Sequence, residues 1–344
     1  MTTRPLSPLT MLLSRHTRRR EFISLLGGAA AAWPLAAYAQ QAALPVIGFL
    51  SSASRNHDDV FRLAPFRQGL SEAGYTEGRN VAIEYRGADY QLDRLPALAT
   101  DLIRRQVSLI AAGGSPASAL AAKSATAIIP IVFTNAADPV QIRLVASLNR
   151  PGGNVTGFTQ LGAELGGKRL GLLRELVPAA TSIAVLVNPN RPGVDAQSAQ
   201  AQEAARTLGL QLHILEASSE RDFEAAFLTL VQLRASAFVI SADALFNDRR
   251  DQLIALARRY SVPTIYEWRD AVAAGGLISY GTRREDGYHQ IGILAGRILK
   301  GEKPADLPVL QPTKFELVIN LTTAKELGLT IPPGVLAIVD DVIE

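Results

Sequence analysis

After about residue 45, short apolar runs alternate along the chain with longer stretches in which apolar positions recur at helical spacing. The apolar runs are PVIGFL, NVAIEYR, VSLIAAGG, IPIVFT, SIAVLVN, LQLHILEA, AFVISA, VPTIYE and GLISYG. Because these runs are continuously apolar rather than strictly alternating, they predict strands that are buried on both faces. Strands and helices in repeated alternation predict an α/β fold built on doubly wound parallel sheets.

A glycine-rich break, NRPGGNVTGF at residues 149–158, divides this pattern into two halves of similar size. Glycine allows unusual backbone angles, so we interpret the break as a hinge between two Rossmann-like lobes rather than as a surface loop. A helix predicted over 284–301, followed by a further strand and helix, makes the chain cross between the lobes more than once. We expect a multi-strand hinge joining an N-terminal lobe, residues 40–156 and 282–310, to a C-terminal lobe, residues 157–281 and 311–344.

The first 39 residues read as an export signal that is removed after Ala39. The pair Arg19-Arg20 precedes a short apolar segment, ISLLGGAAAAW, and the segment ends in Ala37-Tyr38-Ala39, which has the A-x-A form of a cleavage site. The paired arginines and the alanine- and glycine-rich middle favour twin-arginine export over general secretion. The sequence therefore predicts a periplasmic protein.

The net charge of +3 and the isoelectric point of about 9.2 are due mostly to that leader. Without its five arginines and one glutamate, the chain has 30 basic and 31 acidic residues. A nearly neutral mature protein gives no electrostatic reason to predict binding to nucleic acid. The chain contains no cysteine, which excludes disulfides, thiol catalysis, thiolate metal sites and a lipid anchor on cysteine.

Catalytic and metal-binding patterns are absent from the sequence. The histidines outside the leader, His57, His213 and His289, belong to no H-E-x-x-H pair and to no cluster. No G-x-S-x-G elbow, G-x-G-x-x-G turn or Walker lysine occurs either. We therefore predict a protein that is not an enzyme, with no cofactor and no metal.

Small polar residues follow the predicted strands, and ligands of open α/β sheets bind beyond the carboxyl ends of the strands. The predicted ligand-binding residues are Ser51, Ser52, Ser115, Thr134, Asn135, Asp138, Phe158, Asn188, Asp243, Tyr266, Glu267 and Tyr280. Serine, threonine, asparagine and aspartate are also the preferred helix N-caps, and Asp138 before Pro139 fits a cap of a following helix. For any single residue the cap is the better interpretation, whereas the whole set, with its aromatic neighbours, favours a shared cleft.

Several segments resemble the ABC-transporter solute-binding proteins of the tryptophan/tyrosine type. These segments are VIGFLSS, GGSPAS, IPIVFTNAADPV, GGNVTGFT, VLVNPN, ISADALF and the closing VIN, TAKELGL and IP. The resemblance covers the chain from about Pro45 onward and implies a type I periplasmic-binding fold with its ligand in the cleft. It also implies no cofactor, delivery of the solute to a membrane permease, and ligand contacts by Ser115 and Asp138. Members of the family need not share a ligand.

The resulting hypothesis is an exported, monomeric receptor of an ABC importer that closes on a small organic solute, either an amino acid or an aromatic compound. Asp138, Asp243 or Glu267 would bind an ammonium group, and Ser52, Ser115 and nearby amides a carboxylate. Two alternatives stay open at this point. A ligand-sensing domain of a transcription regulator would need a helix-turn-helix where the leader lies, and an α/β hydrolase would need a nucleophile–base pair at the strand ends.

Overall fold

A computed structural model describes residues 44–55, 59–162 and 165–344. The predicted export signal, residues 1–39 with cleavage after Ala39, and also His57 lie outside the described residues. Residues Pro45–Glu344 form one compact unit. Within the described residues, no helix has both the length and the apolar character needed to span a membrane.

The first four apolar runs and the segment after the glycine-rich break form a sheet of five strands in the order β2-β1-β3-β4-β5. Its strands are β1 (Val46–Ser51), β2 (Ala82–Gly87), β3 (Leu109–Gly113), β4 (Ile131–Asn135) and β5 (Val155–Thr159). All neighbouring strands are parallel, so their carboxyl ends lie along one edge, as the sequence predicts. We call it the first sheet.

The second sheet contains seven strands in the order β12-β11-β10-β9-β8-β6-β7. Its strands are β6 (Ser182–Val187), β7 (Gln211–Glu216), β8 (Phe238–Ile240), β9 (Thr264–Tyr266), β10 (Ile278–Gly281), β11 (Glu316–Asn320) and β12 (Asp341–Ile343). The predicted parallel arrangement is present at the other pairs of this sheet. One pair differs, because β11 runs antiparallel to β10. The chain leaves this sheet after β10 and re-enters it at the carboxyl end of β10, where Glu316 pairs with Gly281.

Helices connect the strands in the predicted alternation. In chain order they are α1 (Ala64–Glu72), α2 (Leu95–Arg104), α3 (Pro116–Ala125), α4 (Gly166–Leu176), α5 (Val194–Thr207), α6 (Phe223–Gln232), α7 (Ala244–Asp248), α8 (Arg250–Arg259), α9 (Arg269–Ala273), α10 (Arg284–Leu299), α11 (Leu321–Glu326) and α12 (Pro333–Leu336). A π-helical turn, Asp59–Leu63, precedes α1, and 3-10 turns occupy Leu92–Arg94, Glu220–Asp222 and Pro304–Asp306.

Each sheet is covered by apolar side chains on both faces, which explains why its strands are apolar throughout. Phe49 and Val132 lie in the cluster on one face of the first sheet, and Leu50 and Phe133 lie in the cluster on the other. Two further clusters cover the second sheet in the same way. The packing on both faces fixes the strands, and the strands in turn position the residues that follow them at the carboxyl edges.

Helix α10 lies after β10 in sequence but packs against α1 on the first sheet. Glycines permit this close approach, because a Cβ placed on Gly292 would lie 2.2 Å from the carbonyl oxygen of Phe66. The chain then follows β5, where Leu310 bridges Phe158, before entering β11. Strand β5 pairs with β4 as far as Thr159. The first sheet therefore continues beyond residue 156, the predicted end of the first segment of the N-terminal lobe. The remaining lobe boundaries stay a prediction.

Candidate ligand-binding site

The carboxyl end of β1 holds Ser51 and Ser52, which are both buried. Ser51 Oγ accepts a hydrogen bond from the N–H of Ala53 at 3.1 Å. Ser52 Oγ has no hydrogen-bond partner. The turn after β3 approaches it closely, since a Cβ placed on Gly114 would lie 2.5 Å from Ser52 Oγ. The Ser52 hydroxyl therefore lies at the strand edge with its hydrogen-bonding capacity unused.

Ser115, Thr134 and Asn135 extend this edge, and all three are buried. Ser115 is the N-cap of α3, because its Oγ accepts a hydrogen bond from the N–H of Ala117 at 3.3 Å. Asn135 Oδ1 accepts one from the N–H of Ala137 at 3.0 Å, while Asn135 Nδ2 has no partner. Thr134 Oγ1 has none either. The edge thus combines the capping predicted for single residues with polar atoms that no protein group satisfies.

Asp138 follows β4 and is partly exposed. Its Oδ1 accepts hydrogen bonds from the N–H groups of Val140 at 2.8 Å and Gln141 at 3.2 Å. The predicted helix after Pro139 does not form. The N–H of Leu144 instead bonds to the carbonyl of Pro139, five residues back, so the segment is a series of turns. The predicted cap is present on a turn, and the contact of Asp138 with a ligand stays a prediction.

Replacing Asp138 by asparagine distinguishes these two roles. Asparagine keeps an oxygen in the Oδ1 position and caps about as well as aspartate, so we expect the free energy of unfolding to change by less than about 0.5 kcal/mol. Urea unfolding measures that change. A Kd for a bound solute that rises roughly tenfold or more in calorimetry would show that the carboxylate charge also contacts the ligand.

On the second sheet, Asn188 follows β6 and Asp243 precedes α7, and both are buried. Asn188 Nδ2 donates a hydrogen bond to Asp243 Oδ2 at 3.2 Å. Asp243 Oδ1 accepts one from the N–H of Leu245 at 2.9 Å, so it caps α7. Burial raises the pKa of Asp243, and the attraction of Arg191 opposes that shift. Asn188 and Asp243, both predicted, therefore form one hydrogen-bonded pair at this edge.

The free energy of unfolding should depend on pH because the pKa of Asp243 is raised. A buried acid with a raised pKa binds more protons in the folded than in the unfolded state, so the free energy of unfolding falls as pH rises from about 4 through the raised value. Asp243→Asn keeps an oxygen for the cap and removes this titration. We expect a flatter profile above about pH 4 for this variant in urea unfolding between pH 4 and 8. Asp195→Asn, on an exposed site of α5, is the control; parallel profiles for wild type and Asp243→Asn would contradict the expectation.

Glu267 lies directly after β9 and is buried. Its Oε1 is 3.6 Å from a nitrogen of Arg169, and its Oε2 has no hydrogen-bond partner. Arg169 is itself buried and donates to the carbonyl oxygens of Tyr280 at 2.8 Å and Gly162 at 3.1 Å. Burial raises the pKa of Glu267 despite the nearby arginines. A Cβ placed on Gly162 would lie 2.6 Å from Glu267 Oε1 and 2.7 Å from Ala136 Cβ, so Glu267 lies beside the segment that follows β4.

A buried ion pair also connects the elements of the two sheets. Arg62, in the turn that packs against α1 and α10, donates to Asp248 Oδ1 at 3.0 Å and Oδ2 at 3.1 Å. Asp248 ends α7 on the second sheet and also accepts a hydrogen bond from the hydroxyl of Tyr90 at 2.8 Å. Nearby, the guanidinium of Arg284 lies over the rings of Phe61 and Trp268. These contacts hold the two carboxyl edges close together.

The three aromatic residues predicted to bind the ligand, Phe158, Tyr266 and Tyr280, lie in different surroundings. The structure does not bring the ring of Tyr266 to the polar edge, because the ring packs in the core. It lies beside Gly276, where an added Cβ would be 2.8 Å from the ring. Gly276 precedes β10, at the opposite end of the sheet from the polar edge. Tyr280 stacks on Phe315 with 6.2 Å between ring centroids. Phe158 is buried in the core of the first sheet, opposite Thr134 in the register. The ligand contacts of Phe158 and Tyr280 stay predictions.

Sequence reasoning missed the arginines of the site. Arg191 lies in the loop after β6 and is buried, as are Arg169 and Arg284 on other elements. The only signal was NPNRPG, in which an arginine follows a strand end between two prolines. An arginine in a loop is usually solvated, so this pattern alone does not predict burial.

Metal binding receives no support from the geometry, since the described part of the chain contains no group of three or more histidine or acidic side chains arranged to hold an ion. The residues at both edges are instead hydrogen-bonding and charged groups from several strand ends. Such an arrangement is suited to the recognition of a polar organic ligand.

Comparison with known proteins agrees with this chemistry. A family model described as ABC transporter substrate binding protein matches residues 49–343. The chain belongs to this family. Its members are solute-binding proteins rather than enzymes, so the resemblance stated from the sequence is confirmed.

Relatives of this substrate-binding protein include the "Tyrosine-binding protein" of Clostridioides difficile (strain R20291), which is 29% identical over 265 residues, 77% of this chain and 75% of the relative. A solved domain from Streptococcus pneumonia in complex with L-Trp is 25% identical, with a TM-score of 0.78 over 88% of this chain and 100% of that one. The leucine binding protein LivK from Thermotoga maritima shares the fold, with a TM-score of 0.53 at 14% identity over 69% of each chain. The type I periplasmic-binding fold is thereby confirmed.

Proposed function

We propose that this substrate-binding protein is the exported solute receptor of an ABC importer, which closes two lobes on a small organic solute and delivers it to a membrane permease. The observation that supports this proposal is the set of buried polar atoms without partners at the carboxyl edges of both sheets. They are Ser52 Oγ, Thr134 Oγ1 and Asn135 Nδ2 on the first edge, and Arg191 Nε and Nη2 and Glu267 Oε2 on the second. Each such atom costs about 1–3 kcal/mol when it is buried unpaired, and a polar solute would satisfy several together.

The solute class follows from the groups that these edges offer. Hydroxyls and arginine donate to a carboxylate, and Asp243 and Glu267 provide acceptors for an ammonium or hydroxyl group. The named ligands of the two relatives, tyrosine and L-Trp, contain such groups and an aromatic ring. We therefore propose an amino acid or an aromatic carboxylic compound. Asp138 remains a candidate contact at the rim.

Thermal shift against a panel of amino acids and aromatic acids, L-tyrosine and L-tryptophan included, tests binding. A solute at 100 times its Kd should add about 2.7 kcal/mol to the free energy of unfolding. No stabilisation by any member of the panel would contradict the receptor. Consumption of a stabilising compound would favour the hydrolase.

The variant Ser52→Ala tests the site itself. Because the Ser52 hydroxyl is buried without a partner, its removal should leave the free energy of unfolding unchanged or slightly higher. The Kd of the stabilising solute should rise roughly two- to tenfold, as for the loss of one hydrogen bond. Ser124→Ala, on the exposed surface of α3, is the matched control.

Export and delivery belong to the same proposal and rest on the predicted signal and on the family. N-terminal sequencing of protein recovered from the periplasm should begin at Gln40. Recovery there of a chain that still begins at Met1 would refute signal cleavage. Uptake of the stabilising solute should also be lost when the receptor is deleted.

A further inference from the structure

Three buried polar side chains on one side of the second sheet each have an atom without a hydrogen-bond partner among the described residues. They are Arg169 on α4, Gln197 on α5 and Ser241 directly after β8, and they are 1%, 9% and 3% exposed. The three atoms are Arg169 Nη2, Gln197 Oε1 and Ser241 Oγ. None of them is among the proposed solute contacts. Burying an unpaired polar atom costs free energy, so three in one place require a common explanation.

The three side chains line a single cavity between α4, α5 and the strands β6 and β8. Its volume is about 20 Å³, slightly more than the roughly 10–15 Å³ that one water molecule needs. The rest of its wall is mostly apolar and includes Leu170, Val185 and Val239. The cavity therefore has room for one group of the size of water, and the polar atoms determine where that group can bind.

The three atoms complement the hydrogen-bonding groups of water. Arg169 Nη2 can only donate, Gln197 Oε1 can only accept, and the Ser241 hydroxyl can do either. A water molecule between them accepts one bond, donates one and forms a third with the hydroxyl, which is the usual number for a buried water. The positive charge of Arg169 disfavours a metal cation. The Gln197 oxygen and the carboxylate of Glu267, 3.6 Å from Arg169 Nη2, disfavour an anion.

We propose that this cavity binds one ordered water molecule, which bridges α4, α5 and the end of β8. The bridge acts on Arg169, which also donates to the carbonyl oxygens of Gly162 and Tyr280. Gly162 follows β5 of the first sheet, and Tyr280 lies in β10, after which the chain returns to the first sheet. Because Glu267 Oε1 is too distant for a hydrogen bond, the water completes the bonding of Nη2. It thereby holds the guanidinium against both passages of the chain between the sheets.

Crystallography of the solute-free protein at high resolution tests this site directly. One peak of water density should lie within about 3.2 Å of Arg169 Nη2, Gln197 Oε1 and Ser241 Oγ. In solution, oxygen-17 relaxation dispersion counts long-lived internal waters. It should detect one fewer in Ser241→Val, because two methyl groups fill the site. A cavity without this peak, a peak that refines as a metal ion or a halide, or an unchanged count would overturn the proposal.

The sign of a stability change provides a second test. Ser241→Ala removes one partner of the water, so the equilibrium constant for unfolding should rise roughly two- to tenfold, as for the loss of one hydrogen bond. Ser52→Ala is the matched comparison, because its hydroxyl is also buried without a partner but does not line this cavity. Its unfolding constant should stay unchanged or fall. The same result for Ser241→Ala in urea unfolding would overturn the water bridge.

A double-mutant cycle tests whether Gln197 and Ser241 bind the same water. If they do, Ser241→Ala should raise the unfolding constant less in the Gln197→Leu background than in wild type, since the bridge is already incomplete there. Gln200→Leu, at an exposed position of the same helix, is the control and should leave the effect of Ser241→Ala unchanged. Additive effects of Gln197→Leu and Ser241→Ala would overturn the shared site. All of these outcomes leave the proposed receptor function standing.

Discussion

Replacing Arg169 by methionine should lower the free energy of unfolding by about 3–5 kcal/mol, the loss expected when one partner of a buried ion pair is removed. Arg169 is 1% exposed and connects α4 to Glu267 and to the carbonyl oxygens of Tyr280 and Gly162. Methionine retains the apolar length of the side chain. The change therefore tests the guanidinium alone and removes the cation that directly faces Glu267. Urea unfolding followed by circular dichroism measures the loss.

The adjacent residue Lys168 provides the control, because it is exposed on the same helix. Lys168→Met should change the free energy of unfolding by less than about 0.5 kcal/mol. A double variant, Arg169→Met with Glu267→Gln, should recover part of the loss, since it removes the unpaired charge as well. Equal unfolding midpoints for Arg169→Met and Lys168→Met would show that the buried pair contributes little.

Replacing Asp248 by asparagine should destabilise the contact between the two sheets by a similar amount, about 3–5 kcal/mol. Asp248 is buried against Arg62, from which it is separated by 186 positions in the chain, and it accepts a hydrogen bond from Tyr90. Burial and the neighbouring carboxylate raise the pKa of Tyr90 above its usual value, so its hydroxyl stays protonated and donates. Asparagine removes the charge at nearly constant volume, so the buried guanidinium of Arg62 loses its ion pair with Asp248.

Separation of the two sheets would return Arg62 to water, so opening relieves this penalty. Small-angle scattering of the ligand-free Asp248→Asn variant should therefore give a larger radius of gyration than wild type. Asp251→Asn is the control, because Asp251 lies on α8 with 82% of its side chain exposed. Identical scattering curves and unfolding midpoints for wild type and Asp248→Asn would show that the Arg62–Asp248 ion pair does not hold the two sheets together.

The elements of the fold could be predicted because each follows from local patterns. Continuous apolar runs such as SIAVLVN specify strands buried on both faces, and the structure has Ser182–Val187 as a fully buried strand. The helix predicted over 284–301 is present as Arg284–Leu299, and Gly301 adopts the positive φ of 104° that suits glycine after a helix end. The direction of β11 could not be predicted, because between β10 and β11 the chain crosses to the first sheet, forms α10 there and then returns.

The position of small polar residues after strands could be read from the sequence, and the structure places Ser52, Thr134 and Asn135 buried at one edge. Their contacts with a ligand stay predictions. The ring of Tyr266 shows what the sequence could not determine. When both faces of a strand are buried, the apolar pattern does not reveal which way a terminal side chain points. Arg191 shows the same limit, because nothing in NPNRPG indicates that the folded chain will bury that guanidinium near Asp243 and Glu267.

The sequence by itself determined the α/β class, the order of strands and helices, the family and the polar strand ends, because these depend on patterns within a few residues. Only the tertiary structure decided which charges are paired. Arg62 with Asp248 and Arg169 with Glu267 are brought together by the packing of distant elements. Burial then makes each such pairing energetically decisive, since an enclosed charge has no water to replace a missing partner.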